Sequence, residues 1–105
     1  MHFPFDKDTL LFKVGGKMFA LSALNQWKKS TPSVNLECNP DYSQELRAQY
    51  DHIKPAFHMS KVHWNTVAIN KEVSDKLIIK LIEDSCKLVF RSLTKNTQNE
   101  IIDPR

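Results

Sequence analysis

The chain's only two glycines stand side by side at Gly15 and Gly16, and they fix its first structural unit. Thr9-Leu10-Leu11-Phe12-Lys13-Val14 before them is apolar and β-prone, and so is Lys17-Met18-Phe19-Ala20-Leu21 after them. Two such runs around a Gly-Gly pair predict a β-hairpin with a type I′ or II′ turn, whose positive φ angles glycine adopts without steric cost. A two-residue loop pairs Val14 with Lys17, Phe12 with Phe19 and Leu10 with Leu21. Those six residues then share one face, and Leu11, Lys13, Met18 and Ala20 share the other. Both faces are partly apolar, so the second is expected to have some cover.

The remaining pattern is read in the same way. Residues 22–32 form a polar loop carrying Trp27 and two lysines. Ser33-Val34-Asn35-Leu36-Glu37-Cys38 alternates as a half-buried strand with Val34, Leu36 and Cys38 inward. Asn39-Pro40 is an N-cap followed by proline at the first helical position, opening a helix to about Tyr50 with Tyr42, Leu46 and Tyr50 on one stripe. Ala56–Met59 and Trp64–Ile69 predict a second hairpin. Ser74 caps a long helix to about Leu93, in which Ile78, Leu81, Ile82, Ser85, Val89 and Leu93 follow helical spacing. Thr94 to Arg105 is polar and is expected to fray. The order β-β-β-α-β-β-α predicts an α+β, two-layer domain: an antiparallel sheet of about five strands with the helices on one face.

A chain of 105 residues, 41% of them hydrophobic, suits one domain, here residues 1–95 with a polar tail over 96–105. No apolar run is long enough to span a bilayer, and Met1-His2-Phe3-Pro4-Phe5 lacks the basic start and apolar stretch of a signal peptide. A cytoplasmic location is therefore expected. Cys38 and Cys86 have no CxxC partner and read as buried thiols.

Net charge is +3, yet its distribution is uneven. Residues 9–36 hold Lys13, Lys17, Lys28 and Lys29 and no acid; residues 52–71 hold Lys54, Lys61, Lys71 and three histidines, again with no acid. These stretches carry +7 together, and the remainder, with eight bases against twelve acids, carries −4. If the two meet in space, they form a cationic field that attracts phosphate backbones.

Motifs for catalysis are weak. His58 and His63 with Cys38 match no standard zinc spacing and lack a carboxylate, so no metal or other cofactor is expected. A Cys38–His58 pair has no evident orienting residue or oxyanion loop, and Cys38 ends an apolar strand face. Glu83-Asp84 are adjacent on a helix and point apart. Gly15-Gly16 lacks the GxxxxGK[ST] frame of a phosphate loop and joins two strands. No catalytic residue is assigned. The candidates left are binding residues at the hairpin turns: Lys13 and Lys17 at the first, and Lys61, His63, Trp64 and Asn65 at the second. Cations beside an amide and an aromatic suit phosphate and groove contacts. The plainer reading makes Trp64 core and Asn65 a turn cap, and for Trp64 it is the favoured one.

Several stretches closely resemble the MmcQ/YjbR family: Phe3-Pro4-Phe5; Leu11-Phe12-Lys13-Val14-Gly15-Gly16-Lys17-Met18-Phe19-Ala20-Leu21; Val34-Asn35-Leu36-Glu37-Cys38 with Pro40; and His58-Met59-Ser60-Lys61-Val62-His63-Trp64-Asn65-Thr66-Val67. The final helix, with Asp84-Ser85, matches as well. The resemblance covers about residues 3–95. It implies a two-layer fold like that of secretion chaperones and a double-wing DNA-binding surface built from two hairpins, with DNA as the partner.

Three departures from the family pattern bear on this. A helix usually precedes Phe3-Pro4-Phe5; without it, apolar surface near Phe3, Phe5 and Leu11 would be exposed or covered by a second copy or another chain. Ala56-Phe57 stands where Gly-Tyr is usual. Val62 replaces a commonly basic residue, which makes this wing less cationic. The competing expectation is an adaptor that holds protein or peptide, as a chaperone-like fold with an apolar sheet would allow.

Overall fold

Gly15 (φ 56°) and Gly16 (φ 82°) make the first turn, both in the left-handed region that a type I′ hairpin requires. They join β1 (Thr9–Val14) to β2 (Lys17–Ala23). In the computed structural model, which describes residues 9–23, 32–56, 59–70 and 72–102, these strands lead into β3 (Ser33–Glu37), α1 (Pro40–Gln49), β4 (Ile53–Pro55), β5 (Trp64–Ala68), α2 (Asp75–Arg91) and α3 (Lys95–Ile102). The strands form one antiparallel sheet in the order β1-β2-β3-β5-β4. The α+β class and the strand–helix order agree with the sequence reading, and α3 is added at the end.

The register of the first hairpin is corrected. Val14 does pair with Lys17, but Phe12 pairs with Ala20 and Leu10 with Ser22, because Phe19 is an extra residue on β2. Such a one-residue bulge leaves its residue without a partner and swaps the faces beyond it. Ala20 and Ser22 are therefore buried on the helix side, level with Leu36, while Leu21 and Leu11 pair on the side away from the helices. The rings of Phe12 and Phe19 still meet, 6.4 Å apart.

A second correction concerns β4. The sequence reading puts this strand at Ala56–Met59, but the pairing is made by Ile53–Pro55, and Ala56 N–H adds a bond to Trp64 O at 3.0 Å. Proline is tolerated because β4 is an edge strand, where a missing N–H breaks no interior ladder. Phe57 and His58 lie outside the described residues, as do Phe3, Phe5 and Trp27.

The helix starts follow the sequence. Asn39 Oδ1 accepts from the N–H groups of Asp41 (2.9 Å) and Tyr42 (3.4 Å), and Ser74 Oγ accepts from Leu77 N–H (3.2 Å). Both helices cover one face of the sheet, closing a core in which Leu36, Ile53, Val67 and Val73 are almost fully buried and Leu46, Ile78 and Leu81 pack beside them. Along α2, Ser85 shares the apolar stripe and is wholly buried. Its hydroxyl donates to Phe19 O (2.6 Å) and accepts from Glu37 N–H (2.9 Å), standing between β2 and β3 where the bulge spreads them.

Lys95–Ile102, within the stretch expected to fray, is instead helical. Thr94 Oγ1 accepts from Thr97 N–H at 3.2 Å and starts α3, which is seated on the first turn. A Cβ placed on Gly15 would lie 2.5 Å from Leu93 Cδ1, 3.1 Å from Thr97 Cγ2 and 3.3 Å from Ile101 Cδ1.

Candidate nucleic-acid interface

The sheet register decides where the two turns lie. β2 runs away from the Gly15-Gly16 turn, so antiparallel β3 runs back toward it and ends at Glu37. Trp64 pairs with Glu37, so β5 starts at that same end, just after the turn over 60–63. Both turns thus sit at one end of the sheet. Only β3 separates β2 from β5, which is two strand spacings, or roughly 10 Å.

Lys13 and Lys17 are exposed at the first turn. Lys17 Nζ lies 3.4 Å from Ser92 Oγ, just past the end of α2. At the second turn Lys61 and His63 are exposed, and the turn is closed by bonds to Ser60 O from His63 N–H (3.2 Å) and Trp64 N–H (2.8 Å). Cys38 N–H donates to His63 O at 2.7 Å, which fastens this turn to the end of β3. Trp64 is half-buried and faces away from the helices beside Glu37.

Asn65 belongs elsewhere, and the groove-contact reading for it is corrected. It is 2% exposed and points into the helix side, where Oδ1 accepts from Arg47 Nε (2.7 Å) and Nδ2 donates to Ser43 Oγ (3.0 Å). Burial leaves this amide no access to a ligand. Arg47 Nη2 also donates to the carbonyls of Lys61 and Trp64. One guanidinium on α1 therefore holds both the second turn and the strand behind it.

The sequence reading did not find Arg47, although two signals were present. Ser43, Leu46 and Arg47 lie at i, i+3 and i+4 on one helix face. Asn65 and Val67 share an inward face by period two. Lys87 and Arg91 also belong to this end, although along the chain they fall within the net-acidic remainder. Both stand near the end of α2 that reaches the first turn.

The end is mixed in sign rather than purely cationic. Glu37 lies on β3 between the turns, and Asp41 is exposed in the first turn of α1. Asp84 is held by Lys80 at 2.9 Å, and that ammonium also sits over the Tyr42 ring, 4.8 Å from its centroid. A stretch without acids in sequence is not without them in space. His52 Nδ1 lies 2.8 Å from Glu72 Oε1.

Cys38 is buried, and burial pushes its thiol pKa up, which makes it a poor nucleophile. Among the described residues there is no group of three or more His, Cys, Asp or Glu that could hold a metal ion. Nor, among them, is any helix long and apolar enough to cross a membrane.

Comparison with known proteins agrees with this architecture. The model of the YjbR family matches residues 1–88. Protein YbdF of Escherichia coli O157:H7 is 38% identical over 98 residues, covering 93% of this chain and 78% of that protein. Protein YjbR of Escherichia coli K12 is 31% identical over 82 residues, covering 78% and 70%. The crystal structure of Deinococcus radiodurans protein DR2400, of domain DUF419, superposes with a TM-score of 0.85 at 35% identity, covering 95% of this chain and 75% of that one. A Pseudomonas syringae crystal structure gives a TM-score of 0.71 at 32% identity, covering 84% of each chain. By sequence and by fold, this chain belongs to the YjbR family.

Proposed function

We propose that this chain is a non-enzymatic DNA-binding protein that grips the phosphate backbone of a duplex with its two hairpin turns, largely without regard to sequence. The observation that carries the reading is the register that brings both turns to one end of the sheet, where their nearer strands, β2 and β5, lie roughly 10 Å apart across β3. Lys13 and Lys17 at one turn and Lys61 and His63 at the other supply the phosphate contacts. Trp64 lies behind them, and Asn65 serves by holding the second turn in place. A cytoplasmic location goes with this reading.

Duplex affinity measured across a salt series tests it. Lys17→Glu with Lys61→Glu should weaken binding equally for unrelated sequences and flatten the salt dependence by about one to two units of slope. Absence of duplex binding by the unaltered chain at about 50 mM salt rejects it.

A second reading is a protein- or peptide-binding adaptor, or a homodimer, using apolar surface. The observation in its favour is the exposure of Phe12 (46%) and Val62 (59%), one flanking each turn. A monomer on size exclusion that takes up no apolar dye would count against it.

A further inference from the structure

Lys80, Asp84, Lys87 and Arg91 repeat at four, three and four residues and so form one face of α2. Asp84, Lys87 and Arg91 of this face, with Leu88 beside them, wall a cleft of about 320 Å³ whose other lining is Cys38, Asn39 and Tyr42, at the start of α1. Lys80 neutralises Asp84, so the wall keeps two uncompensated cations. Neither Lys87 nor Arg91 has a carboxylate within ion-pair distance among the described residues. The cleft also joins the two turns: Ser92, next to Arg91, meets Lys17, and Cys38 N–H bonds His63 O.

We propose that this cleft holds a phosphate group through Lys87 and Arg91, as a third contact point between the hairpin turns. The proposal rests on the duplex-binding reading for the source of that phosphate, the nucleic-acid backbone. A concave site with two cations and one neutralised acid suits a compact dianion or a bridging phosphodiester, and Arg91 adds a bidentate fork.

The test compares Lys87→Gln/Arg91→Gln with a control of equal charge change, Lys54→Gln/Lys76→Gln. Lys54 is on the edge strand, and Lys76 is eleven residues from Lys87, roughly 16 Å along α2. Duplex affinity is read across a salt series, and backbone amide shifts are read on adding inorganic phosphate against chloride at matched ionic strength. The cleft pair should lower affinity at least fivefold more than the control and flatten the salt slope by about one to two units. Phosphate should move the amides of Asn39, Lys87 and Arg91 in the unaltered chain but not in the cleft variant. Equal effects of the two variants on duplex binding, with no selective phosphate shifts, overturn the cleft while leaving the duplex reading intact. Failure of the unaltered chain to bind duplex, with selective phosphate shifts retained, upholds the cleft for a free phosphorylated ligand and rejects the duplex reading. Loss of both signals rejects both.

Discussion

Arg47 and Asn65 meet through a 2.7 Å hydrogen bond from Nε to Oδ1, and that bond ties α1 to β5 beneath the second turn. The amide is buried, and its other end donates to Ser43, itself 1% exposed. Replacing Asn65 by Ala leaves the guanidinium and the Ser43 hydroxyl without their buried partner, a loss of about 2–4 kcal/mol by urea unfolding. Asn65→Asp keeps the acceptor for Arg47, and the Ser43 hydroxyl can rotate to donate, so it should cost less than Ala. Amide exchange at His63 and Trp64 should quicken in Asn65→Ala. Equal stabilities for the Ala and Asp variants would show that the network does not hold this turn.

The Ser85 hydroxyl closes a rung that two strands cannot close alone. β2 and β3 pair at Ala20–Leu36 and Leu21–Asn35, and at the next position Ser85 bridges Phe19 O and Glu37 N–H. Ser85→Ala leaves both backbone groups without a partner and should destabilise by about 2–3 kcal/mol in the same assay. Ser85→Cys, nearly isosteric with a weaker donor, should fall between the two. A change under about 0.5 kcal/mol for Ser85→Ala would mean that the strands close up directly.

Glu72 makes an acid-sensitive contact with His52. The hydrogen bond from the His52 ring, helped by the His52 backbone N–H at 3.0 Å, holds its carboxyl pKa below the ordinary 4.5. A carboxylate with a lowered folded pKa adds stability that is present above its ordinary value and is lost as pH falls through the folded one. Any contribution therefore disappears below pH 4.5, and it is small because the pair is exposed. A carboxyl-carbon titration should place the Glu72 midpoint below 4.5 and move it up in His52→Ala. A midpoint at or above 4.5 in the unaltered chain would mean that the contact does not persist in solution.

How much of this was legible in the sequence depends on the range of the interaction. Caps are local: Asn39-Pro40 and Ser74 announce the two long helices because each side chain bonds its own first turn. The Gly15-Gly16 turn is local too, and with it the closing pair Val14–Lys17. The bulge at Phe19 is not, because nothing in Met18-Phe19-Ala20 distinguishes it until Ser85 arrives from a remote helix to satisfy the spread strands. β4 lies earlier than the predicted Ala56–Met59, because only its edge position, a property of the whole sheet, makes Pro55 acceptable in a strand. In the candidate site, the turn cations could be read from hairpin position. Asn65 was misassigned because its partner Arg47 lies eighteen residues away on a helix. Lys87 and Arg91 went unread because a count along the chain cannot see that α2 ends beside the first turn.

Gly15 and Gly16 differ in what surrounds them, and that difference tests whether α3 braces the first turn. Both have positive φ, so alanine at either position incurs backbone strain of about 1–2 kcal/mol. At Gly16 nothing lies within 4 Å of the added Cβ, so strain is the whole effect. At Gly15 the same atom would sit 2.5 Å from Leu93 Cδ1 and 3.1 Å from Thr97 Cγ2, so α3 must move or the turn must. Gly15→Ala should therefore cost about 1 kcal/mol or more beyond Gly16→Ala. Leu93→Ala should recover part of that excess, a non-additivity that a double-mutant cycle reads directly. Asn at position 16, which accepts the left-handed region, should be milder than Ala there. Equal costs for the two alanine variants, with no recovery from Leu93→Ala, would place α3 away from the turn in solution. The first turn would then meet a ligand without a rigid support behind Lys17.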